Sequence, residues 1–268
     1  RVLFRSFKML LFTLAIILGL VLLIWSADRF IEGAASTANH LGMPPLLIGI
    51  LVVGFGTSAP EMVVSAIAAL EGNPSLALGN ALGSNIVNLS LILGIIALIK
   101  PVYLDRETKN IHLPLAIMAT SLLAFMGNGL IGEHFMISRL EGWFLIALSI
   151  AYFIVPAYKS LHSIQLTKHK IRPNTENISI PKSILFIALG FVALKFGADF
   201  AVDNAKIIGE TIGVPDSIIG LTIVGMGTAL PELITPITAT LKGTEGLAIG
   251  NLIGSCILNL FLIIGLGA

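Results

Sequence analysis

Gly56-Thr57-Ser58-Ala59-Pro60-Glu61 returns as Gly227-Thr228-Ala229-Leu230-Pro231-Glu232, 171 residues further along the chain. The same offset holds on both sides of the segment. Upstream, Asp28, Gly42, Pro44, Gly49 and Gly54 answer to Asp199, Gly213, Pro215, Gly220 and Gly225. Downstream, Leu76-Ala77-Leu78-Gly79-Asn80 answers to Leu247-Ala248-Ile249-Gly250-Asn251, and Gly83-Ser84 and Asn88 answer to Gly254-Ser255 and Asn259. About 70 residues align without a gap, so the chain is built from two copies of one unit.

The solvent of that unit follows from composition. Hydrophobic residues make up 56% of the chain and charged residues 12%, with a mean hydropathy of +0.96. Soluble domains carry about twice that share of charge, and here the apolar residues gather into long runs. Runs of about 18 to 25 residues mark membrane-spanning helices. They fall at 9–27, 43–70, 76–99, 111–129, 140–158, 183–202, 214–241 and 246–268. The run 10–24 is the first span rather than a signal peptide, since no small-residue cleavage site follows it. The 27 glycines suit close helix packing, and no alternating segments of a membrane barrel occur. The fold class is an all-α polytopic membrane protein.

Five spans separate each segment from its copy, and an odd number inverts the copy in the membrane. Inverted repeats are a recurring plan of secondary transporters, which place an ion site where broken helices of the two halves meet. The expected units are residues 1–158, a linker at 159–181, and 182–268. Lys159, Lys168, Lys170 and Arg172 assign the linker to the cytoplasm. Alternation from there leaves ten basic residues inside and five outside. It puts the amino terminus outside, despite Arg1, Arg5 and Lys8.

The chemistry rests on Glu61 and Glu232. Carboxylates in a membrane span are costly and mark ion paths. Thr57 and Ser58 precede Glu61 by four and three residues and share its helical face. Pro60 lacks an N–H, and Gly54 and Gly56 loosen the turn before it, which frees carbonyls for a cation. Asn80, Ser84 and Asn88 make a polar edge at four-residue spacing, repeated as Asn251, Ser255 and Asn259. A lone serine or asparagine in a membrane helix serves packing; two glutamates duplicated in register with their hydroxyl neighbours point to ligation instead. Cys256 is taken as packing, Lys195 and Asp199 as a local pair, and Asp28 and Asp199 as structural or entrance residues. The five histidines lack ligand spacing, and no hydrolase or phosphate-loop motif is present. Nothing suggests an enzyme, a resident cofactor, or a nucleic-acid or protein partner. The partners implied are the lipid bilayer and the transported ions.

GTSAPE with GNALGSNIVN, repeated as GTALPE with GNLIGSCILN, resembles the α-repeats of the sodium/calcium exchanger family, within the calcium/cation antiporter superfamily, in its prokaryotic form. The resemblance implies two inverted five-helix halves, and antiport of Ca²⁺ against Na⁺ by alternating access with long helices 1 and 6 sliding on the core. It implies placement in a prokaryotic inner (plasma) membrane. It carries ligand roles to Thr57, Ser58, Glu61, Ser84 and Asn88, and to Thr228, Glu232, Ser255 and Asn259, with carbonyls near Gly54 and Gly225. Proton or other divalent coupling, and a truncated non-transporting protein, are the alternatives. Three departures stand out. Ala229 replaces a serine hydroxyl, Asn259 is neutral where some relatives are acidic, and the repeat calls for some 60 residues beyond Ala268 to supply helices 9 and 10.

Overall fold

The computed structural model describes residues 2–72, 74–127, 137–163, 178–215 and 229–268. Most of the linker, and the 216–228 segment that includes Gly220, Gly225 and Thr228, lie outside the described residues. The described elements are helical. Helix α1 (Val2–Leu41) leads to a bent pair, α2 (Pro45–Thr57) and α3 (Ala59–Leu70). Helix α4 (Pro74–Val87) runs through a π-helical turn, Asn88–Ile92, into α5 (Leu93–Ile99). Then come α6 (Leu113–Gly127), α7 (Arg139–Ser163) and α8 (Ile180–Ile212). The second copy closes with α9 (Leu230–Leu241) and α10 (Glu245–Leu258), which passes through a π-turn, Asn259–Ile263, into α11 (Ile264–Gly267). Among these, five helices and the bent pair are long and apolar enough to cross a membrane.

The repeat is visible in the backbone, residue for residue. Helix α3 maps onto α9 and α4 onto α10 with coincident ends, and each π-turn opens on the repeat-related asparagine, Asn88 or Asn259. The break between α2 and α3 sits at Ser58 (φ −85°, ψ 1°), and Ala229, from which α9 starts, has the same backbone conformation (φ −85°, ψ 0°). Both helices carry a proline in their first turn, Pro60 and Pro231, where a missing N–H is tolerated. Helices α2 and α3 diverge by 49°. Left-handed glycines also recur in pairs, Gly42 with Gly213 and Gly72 with Gly243, where only glycine turns the chain without Cβ strain.

Helices α1 and α8 extend well past the expected 9–27 and 183–202. At 33 residues α8 is about 50 Å long, against a bilayer core of about 30 Å. The polar residues that closed the expected first span are accommodated within the helix: Arg29 pairs with Asp28 at 3.1 Å and with Glu32 at 2.7 Å. The expected pair of Lys195 with Asp199 forms at 2.5 Å. The two long helices pack antiparallel on small residues. Gly19 meets Ala201 and Gly190 meets Phe30, one contact seen twice through the repeat.

The inversion follows from a second contact. Gly246 lies on Pro45, Gly49 on Leu247 and Gly250, and Gly54 on Asn251 and Ser255, so α10 runs parallel to α2. Helix α4 packs back along α3, with Asn80 Nδ2 donating to the Ser65 hydroxyl at 3.2 Å, and so runs against the direction of α2 and α3. Helix α10 therefore points opposite to α4, its own copy. It is also the central helix of the bundle, with 89% of its spanning window buried against 22% for the α4–α5 span.

Candidate functional site

At the break of the first half, Thr57, Ser58 and Glu61 are all buried. Parallel packing of α10 on α2 brings Ser255 and Asn251 to the same point. The Thr57 hydroxyl donates to Asn251 Oδ1 at 3.0 Å, which fixes its direction. The Gly54 carbonyl accepts the Ser58 N–H at 3.1 Å, and the hydroxyls of Thr57 and Ser255 approach it at 3.4 Å. It is therefore not fully released by the break, although a carbonyl keeps a second lone pair.

Glu232 enters from α9. Glu61 and Glu232 are close enough to act on one another, and Ser58 is close enough to act on Glu232. Even so, both carboxylate oxygens of Glu61, Oε2 of Glu232 and the Ser58 hydroxyl complete no hydrogen bond of sound geometry. Buried polar atoms are ordinarily paired. An enclosed group of unpaired oxygens, two carboxylates among them, is an arrangement a cation completes. The donor set contains oxygen only, and among the described residues no cluster of three His, Cys, Asp or Glu side chains forms. Such a set suits hard cations rather than zinc.

Asn88 and Asn259 are buried beside the site, and Ser84 is half-buried on α4. Both amide atoms of Asn88 lack partners, but Asn259 is oriented. Its Nδ2 donates to Asn85 Oδ1 at 2.9 Å, and Asn85 Nδ2 in turn donates to the Cys256 carbonyl at 3.2 Å. A carbonyl only accepts, so this chain settles both amides and leaves Asn259 Oδ1 unpaired. Asn85 thus orients a candidate ligand, a role the residue pattern did not suggest. One signal was available: Asn85 and Cys256 are repeat-equivalent, and a contact between equivalent positions lies on the axis relating the halves. Gly225 and Thr228 belong to the undescribed segment.

The profile of the sodium/calcium exchanger protein family matches residues 11–157 and 182–268. The chain belongs to this family. As a member of it, the chain is a cation antiporter of the membrane and not an enzyme. Relatives within reach include the putative antiporter CaxA of Alkalimonas amylolytica, 38% identical over 97% of this chain and 81% of that protein. The sodium/calcium exchanger MaX1 of Methanosarcina acetivorans is 31% identical over 94% of this chain and 81% of its own length. Among solved structures, the sodium-calcium exchanger NCX_Mj, soaked with Na⁺ and Sr²⁺, superposes with a TM-score of 0.82. It is 30% identical, over 97% of this chain and 82% of that one.

The two halves of this exchanger-family chain are not packed alike. Helix α1 lies along α9, and Lys242 at the end of α9 ties them. Its ammonium pairs with Asp28 at 2.8 Å and donates to the Asp28 carbonyl at 3.1 Å. The equivalent packing of α8 along α3 is not formed to a comparable extent. Val63 and Ile67 on α3 are exposed, whereas their counterparts Ile234 and Thr238 are half-buried. The counterpart of Lys242 is Glu71, an acid that cannot form the equivalent ion pair with Asp199. Lys100 and Glu245 form a further ion pair at the Lys242 end. Among the described residues, these two ion pairs seal that end, and Glu71 and Pro74 stand at the positions equivalent to Lys242 and Glu245. Replacing Lys242 with Met is expected to raise amide hydrogen exchange in 28–41 and 230–243, with 59–70 unchanged.

Proposed function

We propose that this chain exchanges Ca²⁺ for Na⁺ by alternating access, with the ions held near the membrane midplane between Glu61 and Glu232. The cluster of buried, unpaired oxygens on the bent pair α2–α3 and on α9 carries this reading. Its two carboxylates balance one Ca²⁺ or two Na⁺, and a cage that either load neutralises is what exchange requires. Thr57, Ser58, Ser84, Asn88, Thr228, Ser255 and Asn259 would add neutral oxygens, with the carbonyls of Gly54 and Gly225. Residues 1–158 and 182–268 would act as the two halves, joined by 159–181. The ion pair of Asp28 with Lys242 would hold one access path shut while the path between α3 and α8 stands open.

Uptake of Ca²⁺ into vesicles under imposed gradients tests the coupling. Uptake driven by an outward Na⁺ gradient supports the reading; uptake that follows a pH gradient and ignores Na⁺ sinks it in favour of proton coupling. A finer result is expected from Ala229→Ser. Restoring the hydroxyl that Ser58 supplies in the first half adds a Na⁺ ligand worth about 1 kcal/mol. The Na⁺ concentration for half-maximal competition with Ca²⁺ should fall about fivefold.

A further inference from the structure

We infer that Thr235 is a further oxygen ligand for Na⁺, replacing in the second half the hydroxyl that Ala229 lacks. The inference rests on the Na⁺/Ca²⁺ reading above. Thr235 lies one turn beyond Glu232 on α9, and Ala229, Glu232 and Thr235 form one buried stripe at three-residue spacing. Its side chain is 0% exposed, and its hydroxyl has no hydrogen-bond partner.

That is unusual for a helical threonine, which ordinarily donates to a carbonyl three or four residues back. Thr240 on the same helix does so to Pro236 at 2.8 Å, and Thr37 on α1 does so to Gly33 at 2.8 Å. Thr235 makes no such bond to either carbonyl, and its hydroxyl is enclosed in the protein interior. The next residue, Pro236, has no N–H to offer the carbonyl of Glu232. One turn of α9 therefore presents three oxygens without ordinary helical partners: Glu232 Oε2, the Glu232 carbonyl and Thr235 Oγ1.

The first half has no equivalent. Val64 stands where Thr235 does, and Ser65 stands where Pro236 does, with its hydroxyl accepting from Asn80 Nδ2 at 3.2 Å. The extra hydroxyl thus occurs only in the half that has lost one at 229. The two positions are six residues apart, about 9 Å along the helix axis. This places the replacement ligand on the Lys242 side of Glu232, toward the sealed end. The two carboxylates draw a single Ca²⁺ between them, whereas two Na⁺ repel one another and must occupy separate positions. An oxygen one turn beyond Glu232 serves the outlying Na⁺ position, so the residue should act on Na⁺ selectively.

The test is Na⁺ competition against Ca²⁺ binding on the whole purified chain, comparing the parent with Thr235→Val and Thr235→Ser. Thr235→Val keeps the side-chain volume and removes the oxygen. It should raise the competing Na⁺ concentration about threefold to tenfold and leave the Ca²⁺ Kd within about twofold. Thr235→Ser should match the parent for both ions. Unchanged Na⁺ competition in Thr235→Val overturns the assignment. So does an equal shift for both ions, or a Thr235→Ser variant that behaves like Thr235→Val, since either marks a packing role. If Thr235→Val does not fold, the smaller Thr235→Ala is read against the same criteria. A parent that binds Ca²⁺ without Na⁺ competition defeats the exchange reading itself, and the assignment with it. Competition in the parent that Thr235→Val leaves untouched defeats only the assignment.

Discussion

Glu232→Gln should abolish Ca²⁺ binding, and Glu61→Gln should do the same. At an effective dielectric of about 20, a divalent ion about 2.4 Å from a carboxylate oxygen gains about 14 kcal/mol of gross attraction. Desolvation offsets most of that. A net remainder of only ~3 kcal/mol still corresponds to more than a hundredfold in affinity. Glutamine keeps the shape and one carbonyl oxygen, so the lost quantity is charge. The unliganded protein has a different sensitivity. There the two buried carboxylates repel one another, and removing one relieves the repulsion. The unliganded Tm of either variant should therefore equal or exceed that of the parent, while the rise in Tm on adding Ca²⁺ disappears. A glutamine variant that binds Ca²⁺ like the parent would remove that glutamate from the site.

Gly250→Val should be the most damaging change outside the site. A Cβ at Gly250 would run into the Leu46 carbonyl and sit 2.8 Å from the Gly49 Cα, both backbone atoms of α2. Neither can rotate away, so α10 must move off α2. Overpacking a tight interface costs about 1–3 kcal/mol and occasionally more. Here the branched side chain meets a helix rather than a flexible neighbour, and the upper end is expected. Separating the helices also moves Asn251 and Ser255 away from Thr57 and the Gly54 carbonyl. The variant should purify with a lowered Tm and much-weakened Ca²⁺ binding. Normal stability and binding would mean that the contact between α2 and α10 is looser than the glycines indicate.

Much of this architecture is legible in the residues because its signals are local. The break at Ser58 and the start of α9 after Ala229 stand beside proline and glycine within a few positions, and the offset of 171 residues reports the duplication without reference to any contact. Span ends were less legible. The expected first span closed at residue 27, before Asp28 and Arg29, but these charges pair along the helix, Arg29 also with Glu32, and α1 continues to Leu41. The Gly54 carbonyl read as freed, yet it retains the Ser58 N–H. In both cases the deciding partner is nearby in the chain, but its geometry is not encoded in residue type.

Two glutamates in register, an inverted pair of broken helices and a membrane setting were determined by the sequence alone, since each depends on spacing and hydropathy. Tertiary structure decided which oxygens remain unpaired. It turned Asn259 Oδ1 free through the Asn85 amide and the Cys256 carbonyl, and it left the hydroxyl of Thr235 without its usual backbone acceptor. It also decided which end is sealed. Two near-identical halves can pack against their long helices in either of two ways, and a repeat treats both alike. The asymmetry is clearest where Asp28 meets Lys242 across more than two hundred residues of chain, while the matching position holds Glu71.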